Sequence, residues 1–366
     1  MTTAARYTLQ DLFRAMSDRG ASDLYLKAGT PPMFRIAGAV ETSGLAAPMP
    51  GAMDGLVAGI MNEAQQDGLR RNGHADFAYW EPALGRFRVN VYLQRGSVAL
   101  VARRVRNEIP SLEELQLPPV LADFALMPRG LVLVTGPAGS GKSTTLAAMI
   151  EHRNRTMAGH IITIEDPIEF LHADRQSIVS QREIGTDADS FASALRGALR
   201  QTPDVLLIGE MRDADSAQAG VYFAETGHLV LSTLHTVNAN QALNRLAHFF
   251  PAEIHEEIFL RLSATLVGIV AQRLVARGDG SGMVPAVEVL RATPRVRDLI
   301  RSGAIGQLRQ TMMDAPDGGM QTFDDSFFDL YQRGLISVET ALEFAESPND
   351  LRLRLRGFAP AGRRSG

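Results

Sequence analysis

Gly136, Pro137, Ala138, Gly139, Ser140, Gly141, Lys142 and Ser143, with Thr144 next, carry the spacing G-x-x-x-x-G-K-[ST]. The chemistry this suits is phosphate binding. Glycines let successive backbone N–H groups converge on one phosphate chain, and a following helix N-terminus adds partial positive charge. Lys142 is placed to reach the β- and γ-phosphates, and the Ser143 hydroxyl to hold Mg²⁺. The bland alternative is a glycine turn with a chance lysine. Residues 131–134 read as a buried strand and good helix formers follow the loop, so motif and flanks agree. The chain is expected to bind a nucleoside triphosphate.

Cleaving that triphosphate takes more than a cradle. It requires a carboxylate near the metal, a group to orient water, and cations for the developing charge. Glu210 ends the run VLLIG and is an expected Mg²⁺ ligand with Ser143; as a glutamate displaced from the usual aspartate position, it also reads as an ordinary surface residue. In TIEDPIEF, Glu165, Asp166 and Glu169 crowd three carboxylates into five positions, which is costly unless a cation or water sits among them. Glu165 is the expected water-polarising residue, although such a loop alone is more often a solvated turn. His228 and His235 flank another apolar run. Seven residues apart, they fall on opposite faces of a straight strand and make a poor metal pair. One at a strand end can sense a γ-phosphate, while each alone reads as a structural hydrogen-bonding residue. Arg86, Arg88, Arg103 and Arg104 lie on a hairpin pattern. They read either as a solvated face or as cations supplied in trans to a neighbour's nucleotide.

These residues need elements to hold them. Before the glycine loop, the pattern gives a helix over 8–19, strands at 21–29 and 33–40 interrupted by Pro31-Pro32, a loop over 42–51, a helix over 55–70 and a hairpin over 85–105 turning near Arg95-Gly96. This predicts a small α+β domain over 1–108. Residues 109–119 read as a linker, with Ser111 and Glu114 offering a capping box for a short helix and Pro118-Pro119 ending it. Over 120–284 strands alternate with helices, the signature of a mostly parallel sheet: strands at 131–134, from 159, at 205–209 and at 228–236, with a helix around 191–199. Ligands in such sheets sit at the carboxyl ends of the strands. From Pro285 to 366 the chain reads as mainly helical, with GRRSG at the end expected to be disordered. LRLRLR, residues 351–356, conflicts with itself: its period of two says strand, whereas Ser347-Pro348 reads as a helix start. With Arg363 and Arg364 it could meet anionic lipid or a partner, or simply be solvated.

Composition narrows the classes. A length of 366 residues suits two or three domains. No apolar run reaches the roughly 18 residues that span a bilayer, and the amino terminus lacks a signal-peptide h-region. Cysteine is absent, which rules out disulfides and thiolate zinc sites and fits a reducing cytoplasm. The formal net charge of −4 speaks against a dedicated duplex-DNA binder. Only two lysines occur, Lys27 and Lys142, so the one in the glycine loop is conspicuous.

The motifs together resemble one family. The glycine loop, TIEDPIEF at 163–170, DVLLIGEMRD at 204–213 and TGHLVLSTLHT at 226–236 are similar, in order, to the Walker A, Asp box, atypical Walker B and His box of secretion and pilus ATPases. ASDLYL, RFRVN and GMQTFDDS extend the likeness toward both ends. They point to the type IV pilus retraction ATPases, PilT and PilU, and SPNDLRLRLRG with FAETGHL and NANQALNRLAHFFP lies nearer PilU. The resemblance implies an α/β fold: a RecA-like P-loop core after a smaller PAS-like N-terminal domain. It implies a hexameric ring in the cytoplasm, peripheral to the inner membrane beneath a platform protein, with ATP bound between the domains and hydrolysis turning the ring. By motif match Glu165 is the catalytic glutamate, Glu210 helps hold Mg²⁺, His228 and His235 are the His-box residues, and Arg86, Arg88 and Arg103 match the arginine-bearing hairpin. Two departures, Tyr25 for the family's histidine and PRVRDLI at 294–300 for AIRNLI, point to an accessory motor working with a PilT partner. The competing readings are a pilus-extension or type II secretion ATPase, a RecA-like nucleic-acid translocase, and a ring subunit that binds ATP only to dock. Zero cysteines and the short N-terminal domain argue against the extension branch, and acidic charge without aromatic stacking argues against nucleic acid.

Overall fold

The computed structural model describes residues 7–105, 108–314 and 319–357. Arg363, Arg364 and the GRRSG end lie outside the described residues. Two compact units emerge: Met1–Glu108 with Ile168–Leu171, and Ile109–Pro167 with His172–Gly366.

In the first unit, α1 (Leu9–Asp18) starts at a capping box between Thr8 and Asp11 and buries Leu9, Leu12, Phe13 and Met16, one face of a 3.6-residue period. It is followed by β1 (Asp23–Lys27), β2 (Thr30–Ile36), β3 (Ala39–Thr42), α2 (Pro50–Ala58), α3 (Glu63–Asn72), β4 (His74–Glu81), β5 (Gly85–Gln94) and β6 (Ser97–Arg104). The strands form an antiparallel sheet in the order β3-β2-β1-β6-β5-β4. Phe13 stacks on Phe87 at 4.3 Å between ring centroids, and both rings are fully buried. Burying each contributes roughly 1.5–3 kcal/mol.

Several expectations change here. Pro31 and Pro32 do not break the strand; they stand among its first residues, where a missing N–H is tolerated. The single strand expected over 33–40 is split by Ala37 and Gly38, both at positive φ. The helix expected over 55–70 is two helices, the second opening at its own Asn62/Gln65 capping box. Strand β4 went unread because its alternation is short and interrupted by polar residues.

One row across this sheet is charged. Arg35, Asp23, Arg103 and Arg88 face one another through β2, β1, β6 and β5. Asp23 is buried and takes the Nε of Arg103 at 2.7 Å and that of Arg35 at 3.6 Å. Tyr25 accepts from Arg35 Nε at 2.9 Å and lies under its guanidinium.

The second unit opens with turns rather than the expected short helix, although the Ser111/Glu114 box is made. Then come α4 (Val120–Ala125), β7 (Gly130–Thr135), α5 (Lys142–Thr156), β8 (Gly159–Glu165), β9 (Ser177–Glu183), α6 (Phe191–Ala198), β10 (Val205–Ile208), α7 (Ala214–Glu225), β11 (Leu229–Leu234), α8 (Ala239–Ala247), α9 (His255–Thr265), β12 (Leu266–Ala276) and β13 (Met283–Arg291). Helices α10 (Pro294–Arg301), α11 (Leu308–Met313), α12 (Phe323–Gln332), α13 (Val338–Phe344) and α14 (Pro348–Gly357) complete it. The sheet order is β13-β12-β7-β11-β10-β8-β9, parallel except for β13. Strands β7, β10 and β11 are buried along their whole length, as a sheet covered on both faces demands.

The turn to helix comes later than Pro285. That proline sits inside β13, on a sheet edge that tolerates its missing donor. The conflict over 351–356 resolves as helix: Leu351 and Leu355, one turn apart, are buried, Leu353 is exposed, and Arg354 pairs with Asp325 at 2.8 Å.

Glu288 in β13 is buried and accepts the backbone N–H of Ala239 at the start of α8, at 2.8 Å. Burial pushes its carboxyl up to about 7, against the pull of that N–H and of Arg273 and Arg309, with Glu346 adding to the rise. Between the ordinary value of 4.5 and about 7, the unfolded chain sheds a proton that the folded chain keeps. Stability therefore falls as pH rises through that window. Glu288→Gln retains an acceptor for Ala239 and does not titrate. In urea unfolding near pH 8 it is expected to be more stable than wild type by up to roughly 3 kcal/mol, with the gap closing toward pH 4.5.

Candidate active site

The glycine loop joins β7 to α5. Gly136 has φ 153° and Gly141 φ 88°. A Cβ at Gly136 would run into the backbone oxygen of Gln272, and one at Gly141 would stand 2.8 Å from the Gln272 Nε2. Only glycine lets this loop close onto β12. Gln272 also accepts from Thr145 Oγ1 at 2.7 Å, so it braces both the loop and the first turn of α5. Sequence reading missed Gln272 because β12 itself went unrecognised.

Helix α5 starts with no side-chain cap and no acidic residue in its first turn, so its orphan N–H groups and dipole are left for an anion. Ser140 Oγ is buried without a hydrogen-bond partner among the described residues. Lys142 is buried and donates to the carbonyls of Gly136 and Pro137, at 2.9 Å each, which folds the ammonium over the loop. An orphaned hydroxyl, an uncapped helix start and a lysine held by loop carbonyls fit a polyphosphate.

The carboxylates arrive at the carboxyl ends of neighbouring parallel strands. Gly209 N–H donates to Ile164 O at 2.8 Å and Met211 N–H to Thr233 O at 3.1 Å, which pins the Glu210 loop between β8 and β11. Glu210 receives Arg212 Nε at 2.7 Å on one oxygen and lies 3.2 Å from His235 Nε2 on the other. Arg212 also approaches Asp166 at 3.9 Å. The carboxylate of Glu210 strengthens the hold of Arg212 on its proton, raising its pKa. Glu165 ends β8, and its Oε1 takes Thr163 Oγ1 at 2.7 Å. Thr135 at the end of β7 donates to Thr236 O at 2.6 Å and accepts the Thr236 N–H, tying the phosphate loop to the segment after His235.

Thus Glu165, Asp166, Glu210 and His235 end strands on the edge of the sheet where β7 runs into the loop. His228 is left out. It precedes the first residue of β11, at the opposite end of that strand, with Nδ1 3.1 Å from Phe223 O and its ring edge-on to Phe223. Strand length, rather than facing, separates the two histidines. Arg86, Arg88 and Arg103 share the outer face of the first unit's sheet, and Arg103 is engaged by Asp23. Among the described residues no group of three or more His, Cys, Asp or Glu side chains is placed to hold a metal ion. No helix of the described residues is long and apolar enough to cross a membrane.

The model of the type II/IV secretion system protein family matches residues 99–304. The type IV pilus ATPase PilU of Pseudomonas aeruginosa is 47% identical over 347 residues, covering 95% of this chain and 91% of that protein. PilT of the same organism, a type IV pilus retraction ATPase, is 41% identical over 342 residues, covering 93% and 99%. The crystal structure of the pilus retraction motor PilT with bound ADP matches with a TM-score of 0.89 at 40% identity, covering 95% of this chain and all of that one. The second unit is accordingly a RecA-like α/β core preceded by a smaller N-terminal domain. On sequence, fold and the order of its motifs, the chain belongs to the PilT/PilU family of type IV pilus ATPases.

Proposed function

We propose that the chain is an ATP-hydrolysing, Mg²⁺-dependent motor that powers type IV pilus retraction as a hexameric ring, in the accessory manner of PilU. The observation that carries the reading is the contact of Glu210 with His235 at the carboxyl ends of the parallel strands, the same end of the sheet at which β8 presents Glu165 and β7 runs into the Lys142 loop. In it, the loop N–H groups and Lys142 bind the triphosphate, and Ser143 and Glu210 hold Mg²⁺. Glu165 orients and deprotonates the attacking water, and His235 sits against Glu210 where the state of the γ-phosphate can be felt. Mg²⁺, when bound, neutralises developing phosphate charge. Arg86 and Arg88 are assigned to charge stabilisation in trans, and His228 to a place outside its own chain's pocket. ADP in the PilT crystal and the higher identity to PilU support the nucleotide and the branch. The partners are further copies of the chain, an inner-membrane platform protein and a PilT paralogue, with the ring in the cytoplasm at that membrane.

The test is deletion of the gene with and without a PilT-like paralogue while fluorescent pili are watched. Pili that shorten less forcefully without this protein, and not at all without both, are the expected result. Pili that fail to assemble would favour an extension motor instead.

A further inference from the structure

The carboxylate of Glu165 is held by more than its strand. Thr163 and Gln181 stand directly opposite each other in the β8–β9 register, and Glu165 follows two residues on, on the same face. Thr163 Oγ1 donates to Glu165 Oε1 at 2.7 Å, and Gln181 Nε2 donates to the same oxygen at 3.2 Å. The Gln181 amide has its direction set from behind, because its Oε1 accepts the backbone N–H of His172 at 2.8 Å. That anchor is itself fixed. The His172 ring is buried 3.7 Å from Glu151, which is also buried and holds Arg155 at 2.7 Å and Arg175 at 2.6 Å. A chain of contacts thus runs from the Glu151 cluster through Gln181 to one oxygen of Glu165.

We propose that Thr163 and Gln181 are positioning residues for hydrolysis: two donors on one oxygen of Glu165 that hold the carboxylate in the orientation from which it acts on the attacking water. This rests on Glu165 being the water-activating group. Two hydrogen bonds to Oε1 restrict rotation about the last side-chain bond, so the orientation of the carboxylate is set before substrate arrives. A misplacement of about 1 Å at such a group costs on the order of 100-fold in rate.

The variants separate aiming from mere support. Thr163→Val is isosteric and removes only the donor, and Thr163→Ser restores a hydroxyl. Gln181→Glu keeps an acceptor for His172 and replaces the donor facing Glu165 by a second carboxylate. In steady-state ATP turnover by the full chain, Thr163→Val and Gln181→Glu are each expected to lose about tenfold or more in kcat with KM within about twofold of wild type. Thr163→Ser is expected to recover most of the loss. Wild-type kcat in Thr163→Val and Gln181→Glu, or a raised KM at unchanged kcat, overturns the proposal. Should Gln181→Glu fail to fold by circular dichroism, the Thr163 pair decides it. Glu165→Gln is measured alongside. If that variant turns over normally, the base assignment falls and this proposal with it. If it is inactive while Thr163→Val and Gln181→Glu match wild type, only the positioning role falls.

Discussion

Lys142→Ala is expected to abolish ATP turnover, with nucleotide binding weakened by roughly 10- to 150-fold, the scale of losing a hydrogen bond to a charged group. The reason is structural. Lys142 is one of two lysines in the chain, and its ammonium is held over the loop by the carbonyls of Gly136 and Pro137. Without the ammonium, the cradle offers backbone N–H groups alone against a highly charged anion. Lys142→Arg should not rescue, since a planar fork cannot enter a loop shaped around a compact cation. Titration of a fluorescent ATP analogue and a phosphate-release assay check both statements. Full turnover in Lys142→Ala would remove the phosphate-loop assignment.

Glu165→Gln is expected to do the reverse: ATP binding preserved, turnover down by about 100- to 10,000-fold, the range of general-base catalysis. The amide oxygen of the new side chain can still accept from Thr163 Oγ1 and Gln181 Nε2, so its placement survives while its basicity is gone. The pair of variants is diagnostic because one removes affinity and the other removes chemistry. A chain that binds ATP only to dock in a ring would show no difference between wild type and Glu165→Gln.

The placement of Arg103 bears on the trans hypothesis. Asp23 is buried and takes the Arg103 Nε at 2.7 Å, so part of that arginine's charge is committed inside its own sheet. Arg88, next in the same row, is exposed.

The phosphate loop, the strand before it and the helix after it were legible in the sequence, because glycine spacing and apolar runs are local properties. The same holds for α1 and α6, whose buried positions follow the 3.6-residue period, and for β8, β10 and β11, whose continuous apolar runs are buried in the sheet. Strands β9 and β12 were not legible. β9 is half-buried and polar, and β12 runs on from α9 with no turn residue to mark it. Gln272 and Gln181, which brace the loop and Glu165, sit on those two strands and could not be found before them.

What sequence decided by itself was chemistry: a compact cation among glycines, carboxylates after aliphatic runs, and through motif order the family. What tertiary structure decided was company. His228 and His235 are equivalent on paper, yet the whole length of one buried strand lies between them, and His235, not His228, reaches Glu210. Side-chain types are written residue by residue. Which of them meet depends on strand order and register, and these are set by pairings between residues far apart in the chain.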